Sequence, residues 1–327
     1  MNPVKQYIEN YLSESLFDDK DTFLDPERDR MIIENWIKEN YSFGGKLKIN
    51  DDLIVDCSGA VLIKNDDIES LTNGLFRWGR VNRSFKCSEC NNLTSLEGAP
   101  EEVGGDFYCA GCKNLTSLKG APKEVGENFN CGYCENLKSL EMGPEKVGGS
   151  FYCVGCENLT SLKGAPKKVG LSFDCYDCKN LTSLEGSPKE VEGSFDCSWC
   201  ENLKSLEGGP EKVGGNFDCL WCGKLTSLKG APKTVGGSFN CSFCNKLKTL
   251  ENGPEKVTDR FSCARCENLT SLKGCPSFIG TDLLMNMCPR LRNLNHVQHV
   301  GGTIICKECH KLKITDKDQD KWTIELA

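Results

Sequence analysis

From Val81 onward, apolar and polar positions return in a pattern that does not drift. The unit V-x3-F-x-C-x2-C-x2-L-x2-L-x3-P recurs every 22 residues. It sets Phe85, Phe107, Phe129 and their successors to Phe261 in one column. A second column runs from Cys87 to Cys263, a third from Cys90 to Cys266, and a fourth of prolines from Pro100 to Pro276. Nine units follow one another without insertion or deletion. A fixed period of this length marks a solenoid built by stacking one supersecondary unit.

Within a unit, F-x-C alternates with period two, so Phe and the first Cys share one face of a short strand. A lone strand cannot bury that face, but stacked units can, as a parallel sheet with strands about 4.8 Å apart. One short strand per unit is therefore expected. Paired glycines such as Gly104-Gly105 and Gly148-Gly149 suit the tight turn before the strand. The proline ends the apolar segment on an opposite side that is mostly extended and turn. Degenerate units flank the nine. Ile279, Leu283, Met285, Cys288, Leu291 and Leu294 fit the template, and Val300, Ile304, Cys306, Cys309 and Leu312 fit it again, one residue shorter. Upstream, Ala60, Leu62, Asn65, Ile68 and Leu71 fit it, with Leu62 at the first-Cys place and Asn65 at the second. About twelve rungs result, roughly 55 Å long at the spacing of parallel strands.

The first 45 residues differ in character. Tyr7, Ile8, Tyr11 and Leu12 lie at helical spacing, as do Ile32, Ile33, Trp36 and Ile37. Asp25-Pro26-Glu27 makes a helix start. Two short helices capping the open first rung are expected, because a terminal rung otherwise exposes its apolar face. The organisation is read as a helical cap over 1–45, degenerate first rungs over 46–80, nine regular repeats over 81–278, and degenerate repeats with a cap over 279–327. Trp322 and Ile324 are expected on the last rung.

The columns Val103, Phe107, Cys109, Cys112, Leu115 and Leu118 resemble the leucine-rich repeat, L-x2-L-x-L-x2-(N/C)-x-L, with one extra residue before Phe and one before the following Leu. The phrases "NLTSLEGAP", "NLTSLKGAP" and "EVGGDFYC" look like the leucine-rich-repeat proteins of tailed bacteriophages and some bacteria. The resemblance covers about 260 of the 327 residues and implies a horseshoe-shaped solenoid, with the residues flanking Phe and Cys on its concave face. It implies no chemical activity.

Composition matters next through cysteine, 23 of 327 residues. The count is odd, so complete intrachain pairing is impossible. The segment Met1 to Asp18 has no apolar core of a signal peptide, and no run of about 18 apolar residues suggests a membrane span. A reducing cytoplasm is expected, the host's if the chain is phage-encoded. Three readings of the thiols are open: a packed ladder of small inward residues, a zinc array with C-x2-C knuckles, and bridges between rungs. Leu62, Asn65 and Met285 standing at cysteine positions suit a packed ladder. A local zinc set, His296, His299, Cys306 and Cys309, has the right ligand types, but its cysteines are in register with the repeat. No cofactor is expected.

The remaining signal lies on the strand's outward positions. Tyr152, Asp174, Tyr176, Asp196, Trp199, Asp218, Trp221 and Phe243 put aromatic rings among carboxylates, with Asp177 beside them. Trp and Tyr are enriched at binding hot spots. These residues form the candidate partner-binding patch; cross-rung stacking without a partner is the alternative. At the turn edges, Glu97, Lys119, Glu141, Lys163, Glu185, Glu207, Lys229, Glu251 and Lys273 alternate in sign except at Glu185/Glu207, as do Glu101, Lys123, Glu145 and Lys167. Attraction between neighbouring rungs is expected there.

No G-x-S-x-G, P-loop, H-E-x2-H or kinase signature occurs, so no catalytic activity is expected. The net charge of -7 argues against nucleic acid as the direct ligand. The expected function is a protein-interaction scaffold, with a basic partner suiting the carboxylates. If the phage resemblance holds, that partner is a host protein, such as a defence or nucleic-acid-processing enzyme to be inhibited. Acidic, reduced-cysteine inhibitors of ribonuclease are an analogy at the level of fold alone. A virion-associated structural protein and a zinc-binding array are the alternatives.

Overall fold

The computed structural model describes residues 26–64 and 66–326. Among them the strands form two sheets, of fourteen and twelve strands. Both run the length of a parallel β-solenoid with 22-residue turns. In the first sheet, twelve strands from Val61–Ile63 to Thr303–Ile305 lie side by side in parallel. The Phe column pairs in register throughout, for example Phe129 with Phe151 and Phe151 with Phe173.

Each regular turn contributes two short strands rather than the one expected. The segment Phe107–Tyr108 belongs to the first sheet and Glu102–Val103 to the second. The Val column is thus a ladder of its own: Val103 pairs with Val125, and Val147 with Val169. The glycines between Val and Phe make the corner between sheets. A Cβ on Gly148 would lie 2.1 Å from the carbonyl oxygen of Gly126 one rung earlier. The alternation signal was read only at F-x-C because a two-residue strand carrying one inward valine has no period to detect.

The interior is formed by stacked columns. Phe85 to Phe261 stack ring on ring, with centroids 5.2 to 5.6 Å apart and planes within 12° of parallel. Both cysteine columns and both leucine columns of the regular turns are buried with them. Every offset pair of rings contributes about 0.5–1.5 kcal/mol beyond its area, so the column resists shearing between rungs.

The first rung departs from the expected register. Val61, not Leu62, pairs with Phe85 and enters the core, while Leu62 pairs with Lys86 and is 47% exposed. Val61 lies 24 residues before Phe85, whereas setting Leu62 at the place of Cys87 implies 25, so the expected register is one position off and turns each side chain to the other face. Asn65 lies outside the described residues. Cys57 stands in the Val column of the second sheet, opposite Val81.

The cap is the second expected helix. Helix α1, Pro26–Asn40, begins at Pro26, whose missing N–H costs nothing in a first turn. It buries Ile33, Trp36 and Ile37. Trp36 meets Tyr41 at 5.8 Å and Phe76 at 5.7 Å, and Tyr41 and Trp78 meet Phe85 at 6.2 and 5.9 Å. An aromatic cluster thus closes the Phe column. The helix expected around Tyr7 to Leu12 lies outside the described residues. At the other end, helix α2, Asp316–Lys321, is started by a capping box of Thr315 and Asp318. The following strand Thr323–Glu325 pairs in parallel with Thr303–Ile305, and Trp322 and Ile324 pack partly buried against the core. No helix among the described residues is long and apolar enough to cross a membrane.

Candidate functional site: an aromatic and acidic outer face

The turn between the two cysteines of a unit positions the site. Its second residue is left-handed in rung after rung: Tyr133 (φ 56°), Asp177 (58°), Trp199 (61°), Trp221 (61°), Phe243 (60°), Arg265 (56°) and Met287 (56°). Gly111 and Gly155 hold the same place at φ 72° and 64°. This conformation accompanies the inward thiols. The second cysteine must face inward so that its Sγ reaches the backbone carbonyl of the first cysteine one rung earlier, as Cys178 does to Cys153 at 3.1 Å and Cys222 to Cys197 at 3.2 Å. The first cysteine bonds in the opposite direction, as Cys175 does to the Asp196 carbonyl at 3.2 Å. The two thiol columns therefore link each turn to the ones before and after it.

The left-handed residue then points out, and identical turns stack what they carry. Trp199 and Trp221 stack with centroids 5.1 Å apart, Trp221 and Phe243 at 4.2 Å. The Arg265 guanidinium lies over the far face of Phe243 at 5.2 Å. Trp221 is 37% exposed, yet both its ring faces are covered, so it presents edges to solvent.

A second row runs beside this stack on the strand positions after Phe. Asp174 is in register with Asp196, and Asp196 with Asp218. Tyr152 and Asn240 flank the three. Asp174 accepts the Tyr176 N–H at 2.9 Å, and Asp196 the Ser198 N–H at 2.8 Å. Partial burial pushes the Asp174 carboxyl up to about 6, with Asp196 adding to the rise and the Tyr176 N–H opposing it. Burial and then Asp196 push Asp218 to about 6 as well. Like charges on adjacent strands repel, so Asp174 and Asp218 hold protons more tightly than isolated carboxylates do.

The eight expected patch residues therefore fall on three rows. Tyr152, Asp174, Asp196 and Asp218 share one; Trp199, Trp221 and Phe243 share another; Tyr176 lies between them, half-buried. Tyr133, Arg265 and Met287 escaped sequence reading, although they hold the same repeat place as Trp199. Comparing that one column across all turns would have found Tyr133, which is 60% exposed.

The terminal histidines and cysteines are not brought together as a metal set. Cys306 and Cys309 continue the thiol columns, Cys309 bonding to the Met285 carbonyl at 2.9 Å. His299 stacks on Phe278 at 4.9 Å on the second sheet. Among the described residues no three His, Cys, Asp or Glu side chains are grouped to hold a metal ion.

The expected charge alternation forms pairs between neighbouring turns. Lys119 meets Glu97 at 2.7 Å, Lys163 meets Glu185 at 3.3 Å, and Lys273 meets Glu251 at 2.7 Å. The consecutive Glu185 and Glu207 are each served from their far sides, by Lys163 and by Lys229. All are exposed, so each contributes about 0–1 kcal/mol.

Fold and surface together define a parallel β-solenoid with thiol-lined turns and an aromatic-acidic outer face. No protein-family model matches the chain, and no curated protein is similar to it in sequence.

Proposed function

We propose that this solenoid is a non-catalytic protein-interaction scaffold that captures a basic protein on the outer face of its first sheet. The observation that carries this reading is the Trp199–Trp221–Phe243 stack on left-handed turn positions. A non-glycine residue there costs of the order of 1 kcal/mol, and Gly111 and Gly155 occupy the same place without disturbing the fold. The rings also join no part of the core. A row of carboxylates beside exposed aromatic edges suits a cationic surface, by steering its approach and by complementarity on contact.

The likeness of the repeats to leucine-rich-repeat proteins of phages and bacteria extends this reading. The partner is then a host protein met in the host cytoplasm, and an enzyme that handles nucleic acid, itself basic, fits the charge. The test is capture on the immobilised full chain, at low and high salt, of a panel of purified basic and acidic proteins. Retention of basic proteins that is lost in Trp199→Ala/Trp221→Ala supports the scaffold. Equal retention by that variant removes the patch, and recovery of the chain from purified phage particles favours a structural role.

A further inference from the structure

Near its C-terminal end the aromatic row becomes one wall of a cleft of about 370 Å³. Trp221, Phe243, Arg265 and Met287 line this wall, all but Arg265 apolar. The facing wall comes from the residue two places later in each turn, Asn245, Glu267 and Pro289, and Glu308 and His310 close the far end. At the near end that second wall is missing, because the corresponding residue beside Trp221 is Gly223. The cleft therefore runs along the solenoid axis. From the Trp221 turn to the Glu308 turn are four spacings, about 19 Å at the parallel-strand distance, or roughly six residues of extended chain.

We propose that this cleft binds an extended peptide segment of the partner, with an apolar side chain against the edges of Trp221 and Phe243 and a Lys or Arg toward Glu308. This rests on the scaffold reading and names the segment that the scaffold holds. Three features select a peptide of this kind. The rings of Trp221 and Phe243 are covered on their faces by each other, by Trp199 and by Arg265. A flat ligand has no free face between them to stack on, whereas an aliphatic side chain can lie across their edges. Asn245 contributes an amide oxygen that is buried and has no hydrogen-bond partner, an acceptor that a backbone N–H entering the cleft would satisfy. Finally, the one guanidinium, Arg265, has Glu267 beside it in the middle turn, whereas Glu308 at the C-terminal end has no cationic side chain of Lys or Arg among the lining residues, so the far end favours a cation. The separation from the Phe243 turn to the Glu308 turn is three spacings, about 14 Å, which puts the basic residue about four residues from the apolar one.

A random dodecapeptide library displayed against the purified full chain tests this. The expected result is enrichment of an apolar residue and a Lys or Arg about four positions apart. Affinity of a synthetic winner, by fluorescence polarisation, should fall tenfold or more in Phe243→Ala and in Glu308→Lys. Replacing the peptide's basic residue by Glu should restore binding to Glu308→Lys, a swap that a folding defect cannot produce. Lys119→Ala, on an exposed turn edge outside the cleft, should leave affinity within twofold. Winners that lose binding to Trp199→Ala or Asp196→Asn but not to the cleft variants overturn the cleft and leave the scaffold standing. A library with no winner overturns the cleft, and the scaffold falls with it only if whole basic proteins are not retained either.

Discussion

The thiol of Cys112 donates a 3.0 Å hydrogen bond to the backbone carbonyl of Cys87, one turn earlier. The same bond recurs from Cys134 to Cys109 and onward to Cys288 and Cys263. It accompanies a C-x2-C turn whose second residue points outward, so the buried thiols and the aromatic outer face are parts of one arrangement.

Removing one such thiol should be felt locally and in stability. Cys178→Ala deletes a buried group and leaves the Cys153 carbonyl without its thiol donor. A loss of about 1–3 kcal/mol is expected from the cavity and the lost bond. A chemical-denaturation midpoint equal to the unmodified chain's would show that the thiol column contributes packing bulk alone.

Stability should fall steeply in alkali. Burial holds Cys87, Cys109 and Cys153 protonated well above the ordinary thiol range and pushes Cys275 and Cys306 up to about 12. Below about pH 8.5 folded and unfolded chains both keep these protons. Above it the unfolded chain releases them first, so stability is lost as pH rises from about 8.5 toward 12. Each buried thiol adds about 1.4 kcal/mol per pH unit to that slope. Melting temperatures recorded under reductant from pH 7 to 10.5 should drop sharply past pH 9. A flat profile contradicts the buried thiol columns. Cys112 and Cys309 depart from the others, each pulled down by its contact with the second cysteine of the turn before, Cys90 and Cys288; Cys309, less deeply buried than Cys112, should be the first ladder thiol alkylated by a maleimide, read by peptide mapping.

Asp174 and Asp218 give a slope of the same sign at lower pH. Asp174 and Asp218, raised to about 6, favour the folded state most when protonated. Their contribution is complete below the unfolded value near 4 and is lost as pH rises through 6. Asp218→Asn, which reproduces Asn240 of the next turn, should therefore stabilise the chain at pH 7. After discounting for solvent screening the gain is about 1 kcal/mol, and it should vanish near pH 4. Thermal unfolding at the two pH values checks this, and the same variant should hold basic proteins less well at pH 7.

Trp221→Gly separates fold from surface. The change relieves a left-handed backbone by roughly 1 kcal/mol and removes two stacked contacts of about 0.5–1.5 kcal/mol each. The balance is a loss of about 1 kcal/mol, so the melting temperature should fall by only a few degrees while retention of a basic protein drops. A large destabilisation would mean that the aromatic row is structural.

Much of the architecture was legible because stacking makes sequence position and spatial position the same thing. A residue 22 places on is the neighbour one strand away, so the Phe, Cys and Leu columns and the pairing of Lys119 with Glu97 followed from counting. Where counting failed, as at Leu62, two inserted residues had shifted the turn, and nothing local marks an insertion in a degenerate unit. The second sheet was missed because Glu102–Val103 is too short to alternate.

The repeat alone determined which residues lie above one another and which columns face inward, since period and hydrophobicity suffice for both. The directions of the outward side chains came from tertiary structure. In the turns that carry Trp199, Trp221 and Phe243, the second cysteine's Sγ reaches the first cysteine's carbonyl one turn earlier, and the three rings stand at positive φ and stack. The same geometry splits the expected patch into an acidic row and an aromatic row and brings Arg265 and Met287 beside the latter. Where an outward side chain lies depends on backbone dihedrals and on contacts with other turns, which a spacing pattern does not contain.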